Sequence, residues 1–280
     1  MLNNSEIKSL LYLLDDPDPF VQQSVEGRLY ELGEQVVPLL DEHKQDLKKE
    51  GDIERVNGII HSITFGNLES DFYDLIERGV DDLKQLEEII WLMTRFRDPT
   101  FRPQNYKNYL DNVALALRDE VNYTLDDRKK MRKVLRYIFH DMGYRGDIEN
   151  YYHPDNSYLN SVITRKKGIP ISLSLIIMFV GRRLDLPFYG INMPIHFMVN
   201  YDSGQHSLLI DAFDGGTVVT YNQCYNFLKK NGVKPKAEHF EKASPKMILT
   251  RYLRNLINSY TRNEDEERAE QLQNLLSAVK

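Results

Sequence analysis

The apolar positions of the chain fall into two regimes. From the start to about residue 145 they recur at helical spacing. Ile7, Leu10, Leu11 and Leu14 make one stripe, Val21, Val25, Leu29 and Leu32 a second, and Val36, Val37, Leu39 and Leu40 open a third. Asp15-Asp16-Pro17-Asp18-Pro19 predicts the stop of the first helix and the cap of the next, and Gly33 its end. Further helices are predicted over 83–96, 106–117 and 128–142. Trp91 sits among Ile89, Ile90, Leu92 and Met93 and is read as a core residue.

After Gly143 and Gly146 the pattern changes. Tyr151 to Ser157 reads as a loop, and Asn156 or Ser157 is expected to cap a short helix ending at Arg165-Lys166-Lys167-Gly168. That basic run is read as a solvated helix end rather than an anion-binding patch. Pro170 suits the first turn of a helix, where its missing N–H has no partner to lose. From Ile171 to Val180 nearly every residue is apolar, the mark of a helix buried on all sides. Arg182 and Arg183 then lie where the helix dipole favours cations. Strand-like runs follow at 188–192, 196–201, 207–213 and 217–221. Asp202-Ser203-Gly204 and Asp214-Gly215-Gly216 are the turns between them. Residues 244–262 and 264–279 return to helix.

Composition narrows the classes. The chain has 280 residues, 41% hydrophobic and 28% charged, which is ordinary for a globular protein. A net charge of −6 speaks against nucleic acid as a partner. The single cysteine, Cys224, excludes an internal disulfide and a cysteine-rich zinc site. His43, His61, His140, His153, His206 and His239 show no metal-binding spacing, and no glycine-rich nucleotide loop is present. No metal and no cofactor are therefore expected. No apolar run approaches the roughly 20 residues that span a bilayer, so no membrane partner is expected. The opening MLNNSEIKSLLYLLDDPDP is acidic where a signal peptide places its cleavage site, which gives a cytoplasmic reading.

The chemistry concentrates in 156–216. A glycine-led buried helix is followed by strands carrying His196 and, fifteen positions later, Asp211. A thiol enzyme needs a thiolate at a helix start, an imidazole to share its proton, and a carboxylate to orient the imidazole. The segment supplies the last two in that order. Asn156-Ser157-Tyr158-Leu159-Asn160, Arg165 to Ser174, Arg182-Arg183-Leu184-Asp185-Leu186-Pro187, His196-Phe197 and Asp211 to Gly216 closely resemble the transglutaminase-like core of bacterial SirB-family proteins. A similar core occurs in some eukaryotic F-box proteins, substrate adaptors of ubiquitin ligases. The opening helix–DPDP–helix resembles one HEAT-type repeat, and the last two helices resemble a tetratricopeptide-type hairpin.

The resemblance implies an α+β fold. A helical region over 1–145 precedes a papain/transglutaminase-like core over 146–240, with a buried helix packed on an antiparallel sheet. A helical hairpin over 241–280 closes the chain. The resemblance carries the triad roles onto His196 and Asp211. Counting back from Leu184-Asp185-Leu186-Pro187 puts the nucleophile position at Pro170, which has no nucleophilic atom. At about 100° per residue Ser172 points roughly 200° away from that position, and Ser174 lies about 6 Å deeper on its face. Ile195 stands where the family has glycine, and Ala212 where it has proline. Cys224 follows the sheet and is not expected to act as the nucleophile. The expectation is a non-catalytic, regulatory protein that binds a protein or peptide. The alternatives are a hydrolase or acyltransferase using a serine hydroxyl, Ser172 foremost, with His196 and Asp211, and a scaffold that recruits proteins through its helices.

Overall fold

A computed structural model describes residues 4–14 and 16–279. Asp15 of the predicted helix stop, and Met1 to Asn3, lie outside the described residues. The chain divides into two compact units, Met1–Asp74 with Leu92–Phe101, and Leu75–Trp91 with Arg102–Lys280.

The first unit is helical. It contains α1 (Asn4–Leu13), α2 (Pro19–Leu32), a 3₁₀ turn and α3 (Val37–Asp46), and α4 (Glu50–Glu77) begins in it. The Asp18 carboxylate accepts from Phe20 N at 2.9 Å and so caps α2, while Gly33, at φ +62°, closes it. The predicted stripes bury Ile7, Leu14, Val25, Leu29, Val36 and Leu40 against Val56, Ile59 and Ile60 of α4.

The second unit holds the start of α5 (Leu83–Arg97), α6 (Gln104–Asn122) and α7 (Asp127–Leu135). The predicted helix over 128–142 loosens into a π-helical turn at Arg136–Asp141. Strand β1 (Arg145–Gly146) pairs in parallel with β2 (Lys167–Gly168), and α8 (Leu159–Arg165) lies between them in sequence. Neither Asn156 nor Ser157 caps α8, whose N-cap is Tyr158. Asn156 is instead fully buried, donating to Asn150 O at 2.6 Å and accepting from Arg165. Nor is the basic run a solvated end. Lys166 adopts φ +58°, and its ammonium is held by the hydroxyls of Tyr109 and Tyr144 and faces both rings.

Helix α9 (Pro170–Arg183) is buried from Pro170 through Gly181, as its unbroken apolar run predicts. Arg182 and Arg183 anchor its end on the buried carboxylate of Glu87, at 2.7 and 2.8 Å. Trp91 is buried, and its indole N–H donates to the same carboxylate at 3.1 Å. Burial acts to raise the Glu87 carboxyl, but Arg183, Trp91 and Arg182 outweigh it and hold it below the usual carboxylate range.

A four-stranded antiparallel sheet follows, in order β3 (Phe188–Ile191), β4 (Met198–Asp202), β5 (Ser207–Asp211) and β6 (Thr217–Val219). Directly paired residues share a face. One face carries Phe188, Tyr201, Gly190, Val199 and Ile210; the other carries Tyr189, Asn200, Leu209, Val219, Ile191 and Met198. The first face meets α9, and Gly181 lies so near that a Cβ there would come within 2.5 Å of the Phe188 ring. The second packs against α10 (Tyr221–Lys230) through Cys224 and Leu228. The last predicted strand therefore ends early. Thr220 and Gln223 form a capping box that starts α10 where strand was expected to continue to Tyr221. Helices α11 (Pro245–Arg262) and α12 (Glu266–Ala278) close the unit.

Candidate functional site

The segment joining β3 to β4 carries Met193, Ile195 and His196. His196 precedes the strand rather than lying on it, since β4 begins at Met198. Ile195 adopts φ +69° and is 47% exposed. For a β-branched residue this is a strained backbone, costing about 1–2 kcal/mol in the left-handed region. The strain sits beside the imidazole and explains physically why glycine suits this position.

Asp211 is the last residue of β5 and points to the α10 face. Its Oδ1 lies 2.8 Å from His196 Nε2, and also accepts from Phe213 N at 3.0 Å and Asp214 N at 3.2 Å. It thus orients the ring and caps the turn into Gly215-Gly216 at once. Burial acts to raise its carboxyl, but His196 and the two backbone N–H groups hold it below the usual range. An ionised carboxylate only accepts, so Nε2 carries the proton and Nδ1 of a neutral ring is left as an acceptor. The ring is flanked edge-on by Phe213 at 6.2 Å and Phe227 at 5.9 Å.

Beside the pair lies a cavity of about 180 Å³, lined by Met193, His196, Met198, Asp211, Val219, Gln223, Cys224 and Phe227. No residue of α9 lines it. Pro170 is buried at the first turn of α9. Ser172 Oγ donates to Asn156 O at 2.6 Å and accepts from Ile169 N at 3.0 Å; Ser174 Oγ donates to Pro170 O at 2.7 Å. The structure thus brings together His196, Asp211 and Cys224, and leaves Pro170, Ser172 and Ser174 out of the cavity wall. Phe213 contacts His196 on one side. It also packs on Gly146, so closely that a Cβ there would come within 2.6 Å of its ring.

Cys224 is the residue that sequence order did not lead to. Its thiol is buried, and burial together with the Asp211 charge pushes it above its ordinary value. A reactive cysteine shows the reverse, an electropositive and accessible setting. The signal for α10 was present as Thr220-Tyr221-Asn222-Gln223 followed by apolar residues at 224 and 228. Among the described residues, no three His, Cys, Asp or Glu side chains converge as a metal site needs, and no helix is long and apolar enough to cross a membrane.

A buried helix on an antiparallel sheet, with a histidine held by the aspartate of the following strand, is the frame of a transglutaminase-like domain. The chain belongs to the transglutaminase-like superfamily, whose family model matches residues 104–254. It is 33% identical over 195 residues to a UPF0162 protein of Xylella fastidiosa, covering 68% of this chain and 69% of that protein. A UPF0162 protein of Vibrio cholerae is 28% identical over 158 residues, 55% of this chain and 57% of that one. F-box only protein 21 of Mus musculus is 25% identical over 208 residues, 71% of this chain but 30% of its own length. No solved structure matches the chain significantly.

Proposed function

We propose that the protein is a transglutaminase-like domain without thiol catalysis, a regulatory protein whose cavity beside His196 and Asp211 binds a side chain of a peptide or protein. One observation carries the reading: the His–Asp pair borders an apolar cavity whose lining offers no hydroxyl, and whose one thiol, Cys224, is buried and pushed toward its neutral form. The cavity, about 180 Å³, is smaller than the roughly 300–1,000 Å³ of small-molecule sites and suits one inserted side chain. Met193, Met198, Val219 and Phe227 supply apolar walls. His196 Nδ1 supplies one polar anchor, so an apolar residue flanked by a backbone N–H donor is the complementary ligand. The open cavity favours binding over a purely structural scaffold. A Ser172 hydrolase has against it that the Ser172 hydroxyl is engaged with backbone groups, away from the cavity wall.

The test is a fluorescence-polarisation screen of synthetic peptides with one apolar residue varied, alongside an amine-incorporation assay. The expected result is saturable binding weakened about tenfold by Phe227→Ala, as for loss of an aromatic anchor, and no turnover above background. Turnover abolished by a thiol alkylator and by Cys224→Ala would overturn the reading.

A further inference from the structure

Residues 221–246, which begin with α10, carry six lysines and two glutamates, a net +4 in a chain of net −6, which leaves −10 for the rest. Among the described residues, Lys236 is the one of these lysines that meets a carboxylate, that of Glu238 at 3.0 Å. Helical register ties another of them to the cavity. Gln223, Phe227 and Lys230 stand at i, i+4 and i+7, and so form one row along α10. The first two line the cavity, and the Phe227 ring lies 5.9 Å from the His196 ring. Lys230 is exposed and stands one turn beyond Phe227, about 4.5 Å along the helix. Helical side chains lean toward the N-terminus, which turns its stem back toward Phe227.

We propose that the partner is an acidic peptide segment, with an apolar residue seated in the cavity and a glutamate or aspartate two positions along it held by Lys230. The proposal rests on the binding role of the cavity and adds the charge of what binds there. Asp211 in the cavity wall repels a carboxylate from the cavity itself, so the acid belongs on a flanking residue. In an extended peptide the second residue from the anchor faces the same side, about 7 Å along. That is the stretch over which a lysine one turn past Phe227 presents its ammonium. A short acidic segment meets these lysines alone, whereas the −10 on the rest of the chain repels an extended polyanion such as a nucleic acid.

The experiment uses the full chain with ¹³C-labelled methionine methyl groups, so that Met193 and Met198 report on the cavity by NMR. Replacing each in turn by leucine assigns its signal. The probes are short glycine–serine peptides with one central leucine, and with glutamate, lysine or serine two positions to either side of it. All three should shift the Met193 and Met198 signals saturably. The glutamate peptide should bind about threefold tighter than the serine peptide at low salt, the size of one exposed ion pair, and lose that lead in about 0.5 M sodium chloride. Lys230→Glu should abolish the lead and favour the lysine peptide. Equal affinities for the serine and glutamate peptides, or a lead that survives Lys230→Glu, overturn the acidic-peptide inference and leave the cavity reading standing. Peptides that move neither methyl signal overturn the cavity reading and the inference with it. A single-stranded oligonucleotide that binds as tightly as the glutamate peptide, and is lost in Lys230→Glu, overturns the peptide assignment in favour of a nucleic-acid surface.

Discussion

Helices α9 and α10 lie against opposite faces of one four-stranded sheet, and they differ in kind. α9 is buried from Pro170 through Gly181, its hydroxyls are spent on backbone groups, and Glu87 clamps its end. α10 buries only Cys224 and Leu228 and leaves a cavity where its first turns meet the sheet. Sequence order directs attention to α9, because that is where a transglutaminase-like nucleophile would stand. Asp211 points the other way, toward α10. The lesson is that α9 works as the pillar of the core, while the face with the open cavity belongs to the helix with the weaker sequence signal.

The comparison breaks most visibly at Glu87. Glu87→Ala leaves half-buried Arg183 with only the exposed Asp111 as its acid and takes the partner from Arg182 and Trp91, and should cost about 3 kcal/mol, the lower end for removing one partner of a buried ion pair. Urea unfolding would measure it. Loss under 1 kcal/mol would mean that α9 is not clamped as described. Ser172→Ala should cost about 1–3 kcal/mol by depriving Asn156 O and Ile169 N of a buried partner. Peptide binding by the folded fraction should be unchanged, whereas lost binding would tie α9 to the site.

Ile195→Gly should stabilise by about 1 kcal/mol. The relief of left-handed strain exceeds the extra entropy glycine brings to the unfolded chain. A destabilising result would show that the Ile195 side chain contributes more than its exposure suggests. The smallest effect is on pH dependence. The Asp211 carboxyl is held below its ordinary value in the fold, so its contribution is present above about pH 4 and is lost as pH falls through the folded value. In Asp211→Asn the decline in stability below about pH 4 should be shallower. Identical acid profiles would mean that the pair to His196 contributes nothing to folding.

Much of this was legible because the residues involved obey local rules. The α2 cap at Asp18, the stop at Gly33, the all-apolar α9 and the glycine turns at 204 and 215–216 are dictated within a few residues of each position. The approach of His196 to Asp211 was legible from their order across the Asp202-Ser203-Gly204 turn. What escaped was decided at a distance. Asn156 looked like a cap, but Arg165 and Asn150 draw its side chain inward. Lys166 looked solvated, yet Tyr109, 57 positions earlier, holds it. Cys224 looked remote because α10 was hidden behind a β-prone Val218-Val219-Thr220 run. Which face of the sheet Asp211 takes depends on strand register, and no single segment encodes that.

The chain contains one tryptophan, and its indole N–H is fixed to the carboxylate that also fastens α9. Its emission is therefore an optical gauge of that junction alone. Trp91 belongs to the second compact unit, and the first is rich in helix and has no indole. Fluorescence will follow one unit, while far-ultraviolet circular dichroism sums both. Superimposable melts from the two signals would report a single cooperative transition, and a separation between them would resolve the order in which the units let go.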